Sequence, residues 1–298
     1  MKLIKNPNFD FIAQVSKTSV VSILCMIIAI GSLVYKKGPS LSIDFTGGNI
    51  IQLKFNQTVD ISEIRSSLLN DGLSGLEIIE FGNPKEILIK VQYKGSSQEL
   101  IQILKDGISS SFEIKRFESI GPKIGAELTT DAINAILLAL LWISIYISFR
   151  FDRFYAYGSL AALVHDVLIT LGIFSILNID IDLTVIAAFL TIVGYSLNDT
   201  IVIFDRIRET KAKSPKKTLD WIINKSLNAS LSRTIITSLT TFLVVLVLFL
   251  IGGEVIKSFA FALIVGVIVG TYSSIFVATP VMKYFENKSD KANIEELN

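Results

Sequence analysis

Apolar residues in this chain gather into long blocks separated by polar stretches. Six blocks are long enough to cross a bilayer, at positions 19–35, 132–149, 155–177, 183–204, 234–252 and 259–282, each near the ~20 residues that a hydrocarbon core requires. Between the first two lies one sizeable polar region, 36–130, where the pattern becomes alternating or helical with short periods. Ile51, Leu53 and Phe55 alternate along a strand at 49–55, and Asp60 stands at the N-cap of a helix at 61–69. Strands at 75–81 and 86–92 make a hairpin around Gly82-Asn83-Pro84, 98–107 forms a second helix, and 112–119 forms a last strand. That order is the split βαβ arrangement of ferredoxin-like domains. The expected fold is a polytopic α-helical membrane protein with six transmembrane helices and one external α+β ferredoxin-like domain. The expected division is 1–35 (cytoplasmic N-terminus and first span), 36–130 (external domain), 131–282 (five further spans) and 283–298 (cytoplasmic tail).

Composition agrees: 51% of the 298 residues are hydrophobic and only 18% charged, too apolar for one soluble domain of this size. The net charge of +1 says little, but its distribution sets an orientation. Lys2, Lys5 and Lys17 precede the first span, Arg150 and Arg153 follow the second, basic residues from Arg206 to Arg233 lie between the fourth and fifth, and Lys283, Lys288 and Lys291 end the chain. The short opposite loops, 178–182 and 253–257, hold one basic residue between them, so both termini are expected in the cytoplasm. No small-x-small cleavage site follows the first span and Lys36-Lys37 does, so an uncleaved anchor is expected. Cys25 is the sole cysteine, which rules out an intramolecular disulfide. The polar domain contains no His, no Cys, no phosphate-cradling glycine loop and no basic stripe with interleaved aromatics. Neither a metal, a cofactor nor a nucleic-acid partner is indicated.

The chemistry lies inside the membrane. An ionisable group there costs at least ~2.5 kcal/mol on insertion scales, so one that is retained usually faces protein and handles an ion, a proton or a paired charge. Asp199 is such a group, on a face shared with Thr191 and Tyr195 and flanked by Asn198. On the fifth span Arg233, Thr237, Thr240 and Thr241 form another polar stripe. If the two helices pack together, Asp199 and Arg233 could meet directly or through water, either as a packing clamp or as a proton relay. His165-Asp166 in the third span could extend such a relay, but a lone His with one acid is far short of a metal site, and the pair reads first as packing or support. Ala262, Gly266, Gly270 and Ser274 make a small-xxx-small seam for close helix contact. Asp205, beside Arg206 and Arg208, reads as an interfacial charge, and Asp44-Phe45-Thr46-Gly47-Gly48 reads equally well as a plain turn or as something more.

The run Gly194-Tyr195-Ser196-Leu197-Asn198-Asp199-Thr200-Ile201-Val202-Ile203-Phe204-Asp205-Arg206-Ile207-Arg208-Glu209 closely resembles the fourth-span signature of the SecF family, subunits of the bacterial SecDF protein-export complex. So do Ile43-Asp44-Phe45-Thr46-Gly47-Gly48, Val164-His165-Asp166, the segment from Asn228 to Thr241, and Gly270-Thr271-Tyr272-Ser273-Ser274-Ile275-Phe276. The resemblance implies the resistance-nodulation-division superfamily, a place in the bacterial inner membrane, and SecD, the SecYEG channel and translocating polypeptide as partners beside the lipid bilayer. It also implies the proton gradient as energy source, with Asp199 and Arg233 in the proton path together with an acid supplied by SecD. Ser42 departs from the Gly that the family often carries there. No covalent chemistry is required, so a non-enzyme is expected, with motion passing to the external domain through the first and second spans. A half-size small-molecule exporter of the same superfamily and an intramembrane protease are the alternatives. The first normally needs two six-span halves, and the second needs a partner acid that Asp205, six residues along the same helix, is badly placed to supply.

Overall fold

The computed structural model describes residues 7–71, 73–93 and 95–295; Lys2 and Lys5 lie outside the described residues. The elements follow as α1 (Phe11–Tyr35), α2 (Ile43–Thr46), β1 (Gly48–Phe55), α3 (Ile61–Asn70), β2 (Ser74–Phe81), β3 (Asn83–Gln92), α4 (Ser97–Gly107), β4 (Phe112–Ile120), α5 (Pro122–Arg150), α6 (Arg153–Leu177), α7 (Leu183–Lys213), α8 (Leu219–Ile251), α9 (Glu254–Ser273), a π-helical stretch (Ser274–Ala278) and α10 (Thr279–Glu295). Among the described residues six helical segments are long and apolar enough to cross a membrane: α1, α5, α6, α7, α8 and the continuous run from α9 into α10. Each contains one of the expected spans.

The helices outrun their apolar blocks because the backbone ladder continues through polar residues until a cap or a breaker stops it. α5 begins at Pro122, whose missing N–H costs nothing in the first turn, ten residues before its apolar block. α8 begins where Thr218 accepts from the Trp221 N–H, well before 234. The last helix runs through 283 to Glu295, so the described part of the expected tail is helical.

β1 to β4 and α3 and α4 form the α+β unit in the expected order. Its antiparallel sheet runs β2-β3-β1-β4, with Ile51 opposite Ile89 on one side and Phe117 on the other. Alternate residues share a face, so Ile51, Leu53, Phe55, Ile87, Ile89 and Val91 turn together onto Leu68, Leu100 and Leu104, all fully buried. At ~1.5–3 kcal/mol for each large apolar side chain buried, this core supplies the driving force for a self-contained unit. Ser96 and Glu99 close a capping box on α4.

In the bundle, α6 and α7 are central, while α1, α5 and α8 turn mostly apolar side chains outward. α9 lies along α7 at the seam of small residues. Gly266 sits against Ile192, and a Cβ on Gly270 would come within 3.1 Å of the Ser196 Cβ. Ala262 and Ser274 are fully buried at the ends of that seam.

Candidate functional site

Asp199 is 4% exposed in the middle of α7. It accepts a hydrogen bond from Ser238 Oγ of α8 at 3.4 Å, and Ser238 in turn accepts from Thr271 Oγ1 of α9 at 2.7 Å. The Thr271 hydroxyl also lies 2.7 Å from the Val267 carbonyl of its own helix. Three helices therefore meet at one acid through two hydroxyls.

Arg233 stands near Asp199 without a direct ion pair to it. α7 and α8 do pack together, but no ion pair joins Arg233 to Asp199 among the described residues, and Arg233 is exposed. The reason is angular. Arg233, Thr237, Thr240 and Thr241 recur on one side of α8, whereas Ser238, five residues from Arg233, points about 140° away and faces α7. Thr240 bonds back to Ile236 and Thr237, and Thr241 to Thr237, while Thr237, bonded back to Arg233 and Thr234, also lies beside the Asp199 carboxylate. On α7, Thr191 and Asn198 likewise turn outward, uncovered by this chain. Arg233 lines two adjoining cavities at the end of the bundle away from the α+β unit. One, of about 1010 Å³, runs between Phe9 and Asn228; the other, of about 290 Å³, reaches Asp205 and Glu209. Asp205 itself pairs with Arg150 at 3.0 Å and Arg208 at 3.1 Å.

His165 and Asp166 lie in the same bundle core. His165 Nδ1 is 2.9 Å from Asp166 Oδ1, and Asp166 Oδ2 accepts from Ser196 Oγ at 2.6 Å and Ser273 Oγ at 2.8 Å.

The Asp44-Phe45-Thr46-Gly47-Gly48 segment is a docking element. Ser42 caps the single turn α2, and Phe45 is buried among Phe174, Ile181, Val185, Phe189 and Ala262. Leu41 forms a parallel bridge with Ile181, and the Ser42 N–H donates to the Ile181 carbonyl at 2.9 Å while the Ile181 N–H donates to that of Ser40 at 2.8 Å. Asp44 Oδ2 accepts from the Leu183 N–H at the start of α7 at 3.2 Å, and Thr46 Oγ1 accepts from Gln92 Nε2 of β3 at 3.0 Å. The glycines permit the close approach. Gly47 has φ of +78°, and a Cβ on Gly48 would come within 2.8 Å of the Val91 carbonyl oxygen. Lys36, at the end of α1, reaches the Ser175 carbonyl and Asn178 Oδ1 at the C-terminal end of α6, a favourable place for a cation.

Sequence reasoning missed Ser196, Ser238 and Ser273 as carboxylate partners and Thr271 as the hydroxyl behind Ser238. All four stand inside the runs quoted above, yet a lone serine in an apolar helix carries no periodic signal; only the neighbouring helix shows which hydroxyl is aimed at an acid.

Residues 100–288 match the family described as "Protein export membrane protein SecD/SecF, C-terminal", and residues 33–59 match the "SecD/SecF GG Motif". The chain is 44% identical to the protein translocase subunit SecF of Calditerrivibrio nitroreducens, over 94% of this chain and 95% of that one. It is 43% identical to that of Vibrio alginolyticus, over 89% and 86% respectively. A crystal structure of SecDF, a translocon-associated membrane protein from Thermus thermophilus, superposes with a TM-score of 0.82 at 36% identity, covering 96% of this chain and 40% of that one. A second SecDF structure, in a super-membrane-facing form, gives 0.77 at 35% identity, over 99% and 41%. The present chain thus spans less than half the length of those SecDF chains and nearly the whole length of the separate SecF subunits. It belongs to the SecF family of protein-export membrane proteins.

Proposed function

We propose that this chain is an auxiliary, non-enzymatic subunit of the Sec translocase that works with SecD to couple the proton gradient to late steps of polypeptide export through SecYEG. It sits in the bacterial inner membrane with both termini in the cytoplasm and the α+β unit outside. The observation that carries this reading is a buried acid on α7 bonded to a hydroxyl of α8 that is itself bonded to a hydroxyl of α9, beside a polar face of α7 and α8 that this chain leaves uncovered. Arg233, Asn198 and Thr240 cannot rest against hydrocarbon without large cost. SecD is the partner that covers them, and its own acid completes the path.

The hydroxyl chain explains how a proton becomes a motion. With Asp199 ionised, Thr271 donates to Ser238 and Ser238 donates to Asp199, which ties α9, α8 and α7 together. A protonated carboxyl instead donates to Ser238, Ser238 donates to Thr271, and the Thr271 proton turns to the Val267 carbonyl. The cross-helix bonds thus lose their anchor on a charge, and charged hydrogen bonds are roughly twice as strong as neutral ones. One charge crossing ~100 mV releases ~2.3 kcal/mol, enough to shift a two-state equilibrium roughly fiftyfold. Arg233, between the cavities and Asp199, lends its positive field to the ionised state without clamping it, and the cavities give cytoplasmic water a way toward it.

Purification of the tagged chain from native membranes in mild detergent tests the assembly. SecD and SecY subunits are expected to accompany it, and replacement of Arg233 and Thr240 together by leucine is expected to weaken the SecD association. A wild-type chain that purifies free of both subunits would overturn the reading.

A further inference from the structure

Asp166 is a second buried carboxylate, on α6, with no part in the proton path described above. It is 1% exposed, and so is Ser196; His165 is 3% exposed and Ser273 is fully buried. Both hydroxyls donate to one oxygen, Oδ2, while Oδ1 faces His165 Nδ1. The imidazole stacks on the Tyr272 ring, with centroids 6.1 Å apart and planes inclined by 28°. The Tyr272 hydroxyl then donates to the Thr18 carbonyl of α1 at 2.8 Å and lies 2.9 Å from Ser22 Oγ.

Three successive residues of α9 therefore serve three connections: Thr271 reaches Asp199 through Ser238, Tyr272 reaches α1, and Ser273 reaches Asp166. Ser196 stands three residues before Asp199 on α7. Directly after Ser273 the backbone changes to the π-helix at Ser274–Ala278, a rare conformation that is frequent at functional sites. The two acids thus hold opposite sides of one short segment of α9, at the point where its backbone has two hydrogen-bonding patterns within reach.

A plain clasp would not need an acid here. The amide oxygen of an asparagine accepts from Ser196 and Ser273 as a carboxylate does, without the cost of a charge in the membrane. The titratable groups on the elements packed around α6 at this depth are Tyr272 of α9 and Asp199 and Tyr195 of α7; α1 offers Thr18 and Ser22. The charged groups of α5 and α10 nearest to α6, Arg150 and Glu286, are engaged at the far end with Asp205 and Lys211. His165 is left as the group that can balance the Asp166 charge. The two together are neutral while they share one exchangeable proton, as imidazolium with carboxylate or as imidazole with carboxylic acid, and they carry −1 when it leaves.

We propose that His165 and Asp166 form a second proton-binding site of the subunit, whose occupancy is coupled to that of Asp199 through the Thr271–Ser273 segment of α9. The proposal rests on the reading of Asp199 given above. On release of the shared proton the ionised carboxylate holds both serine hydroxyls, and on its return the bonds to Ser273 weaken and free α9 to change register at its π-helical stretch.

The test is export of a preprotein by vesicles carrying the assembled SecD-containing complex, under an imposed proton gradient, with the pH profile recorded for four proteins: wild type, Asp166→Asn, His165→Gln and Asp199→Asn. Asp166→Asn is expected to assemble normally, to lose the gradient-dependent part of export and to flatten the pH profile. His165→Gln is expected to assemble normally and to move the pH midpoint of gradient-driven export by about one unit or more, because it removes a neighbouring charge partner. An assembled Asp166→Asn complex with a wild-type response and profile overturns the proposal. Should that variant fail to assemble, an unmoved midpoint in His165→Gln overturns it and a moved one supports it. Asp199→Asn separates the two claims: if it alone loses the response, only the second site is wrong, whereas a full response in Asp199→Asn removes the proton path itself.

Discussion

The carboxylate of Asp44 accepts a hydrogen bond from the backbone N–H of Leu183 at 3.2 Å. Asp44 belongs to the segment that leads into β1, and Leu183 opens the helix that carries Asp199. The link joins the helix that carries the membrane site directly to the segment leading into β1, in addition to the chain connections through the first and second spans. Leu41, Ser42 and Ile181 run beside it as a short two-stranded bridge, so backbone hydrogen bonds tie the α6–α7 turn to the entrance of the domain.

Replacing Asp44 by alanine removes that bond and leaves an uncapped N–H at a helix start, at a cost of about 1 kcal/mol. Hydrogen exchange of the amides at Ser42, Ile181 and Leu183 is expected to rise roughly fivefold, with the sheet amides unchanged. Unaltered exchange at Ile181 and Leu183 would show that the contact transmits nothing.

The paired glycines set a stricter demand. A Cβ at Gly48 would meet the Val91 carbonyl, and one at Gly47 would meet the backbone of Ile120 and Pro122 at 3.1 Å while holding a left-handed backbone. Gly47→Ala is expected to cost ~1–2 kcal/mol from the backbone alone, and Gly48→Val to cost more, with loss of the Leu41–Ile181 pairing visible by the same exchange measurement. A Gly48→Val protein with wild-type protection there would contradict the close approach.

The α+β unit carries its own core, so residues 47–121 alone are expected to be monomeric, to show a mixed helix and sheet circular dichroism spectrum and to unfold cooperatively. Leu104→Ala in that piece should lower its stability by ~2–5 kcal/mol, read by urea titration. A disordered spectrum for the unsubstituted piece would mean that the sheet depends on the bundle.

Period and punctuation made the elements legible. Alternation at Ile51, Leu53 and Phe55, the Asp60 cap and the Ser96 and Glu99 box are local features, and each strand and helix of the domain starts within one residue of its expected position except β3, which begins three residues early at Asn83 and takes in part of the expected turn. The six membrane helices announced themselves by length and apolarity, while their ends did not, since Pro122 and Thr218 stop their helices in polar sequence that hydropathy ignores. Asp199 was conspicuous as a charge among apolar residues. Ser238, its nearest hydrogen-bond partner, was not conspicuous, because it stands one residue off the Arg233 stripe and carries no periodic signal. α2 was invisible as a helix: four residues cannot show a period, and what holds Asp44 and Phe45 is the distant α6–α7 turn.

The orientation rests on the basic ends of α5, α7 and α10, and accessibility labelling of single cysteines in a Cys25→Ser background checks it. Positions Gln92 and Asp180 are expected to react from outside the cell, and positions Lys213 and Lys288 only after the membrane is opened. Labelling of Gln92 from the cytoplasmic side would reverse the assignment.

The central claim is that Asp199 binds the proton that drives the subunit. Asparagine keeps the shape and still accepts from Ser238, while removing the charge and the titration. The direct measurement is preprotein export by vesicles containing the SecD-bound Asp199→Asn subunit, at matched protein level, with and without an imposed proton gradient. The account predicts unchanged assembly, unchanged export in the absence of a gradient and loss of the stimulation by the gradient. A fully assembled Asp199→Asn complex that still responds to the gradient as wild type does would contradict it.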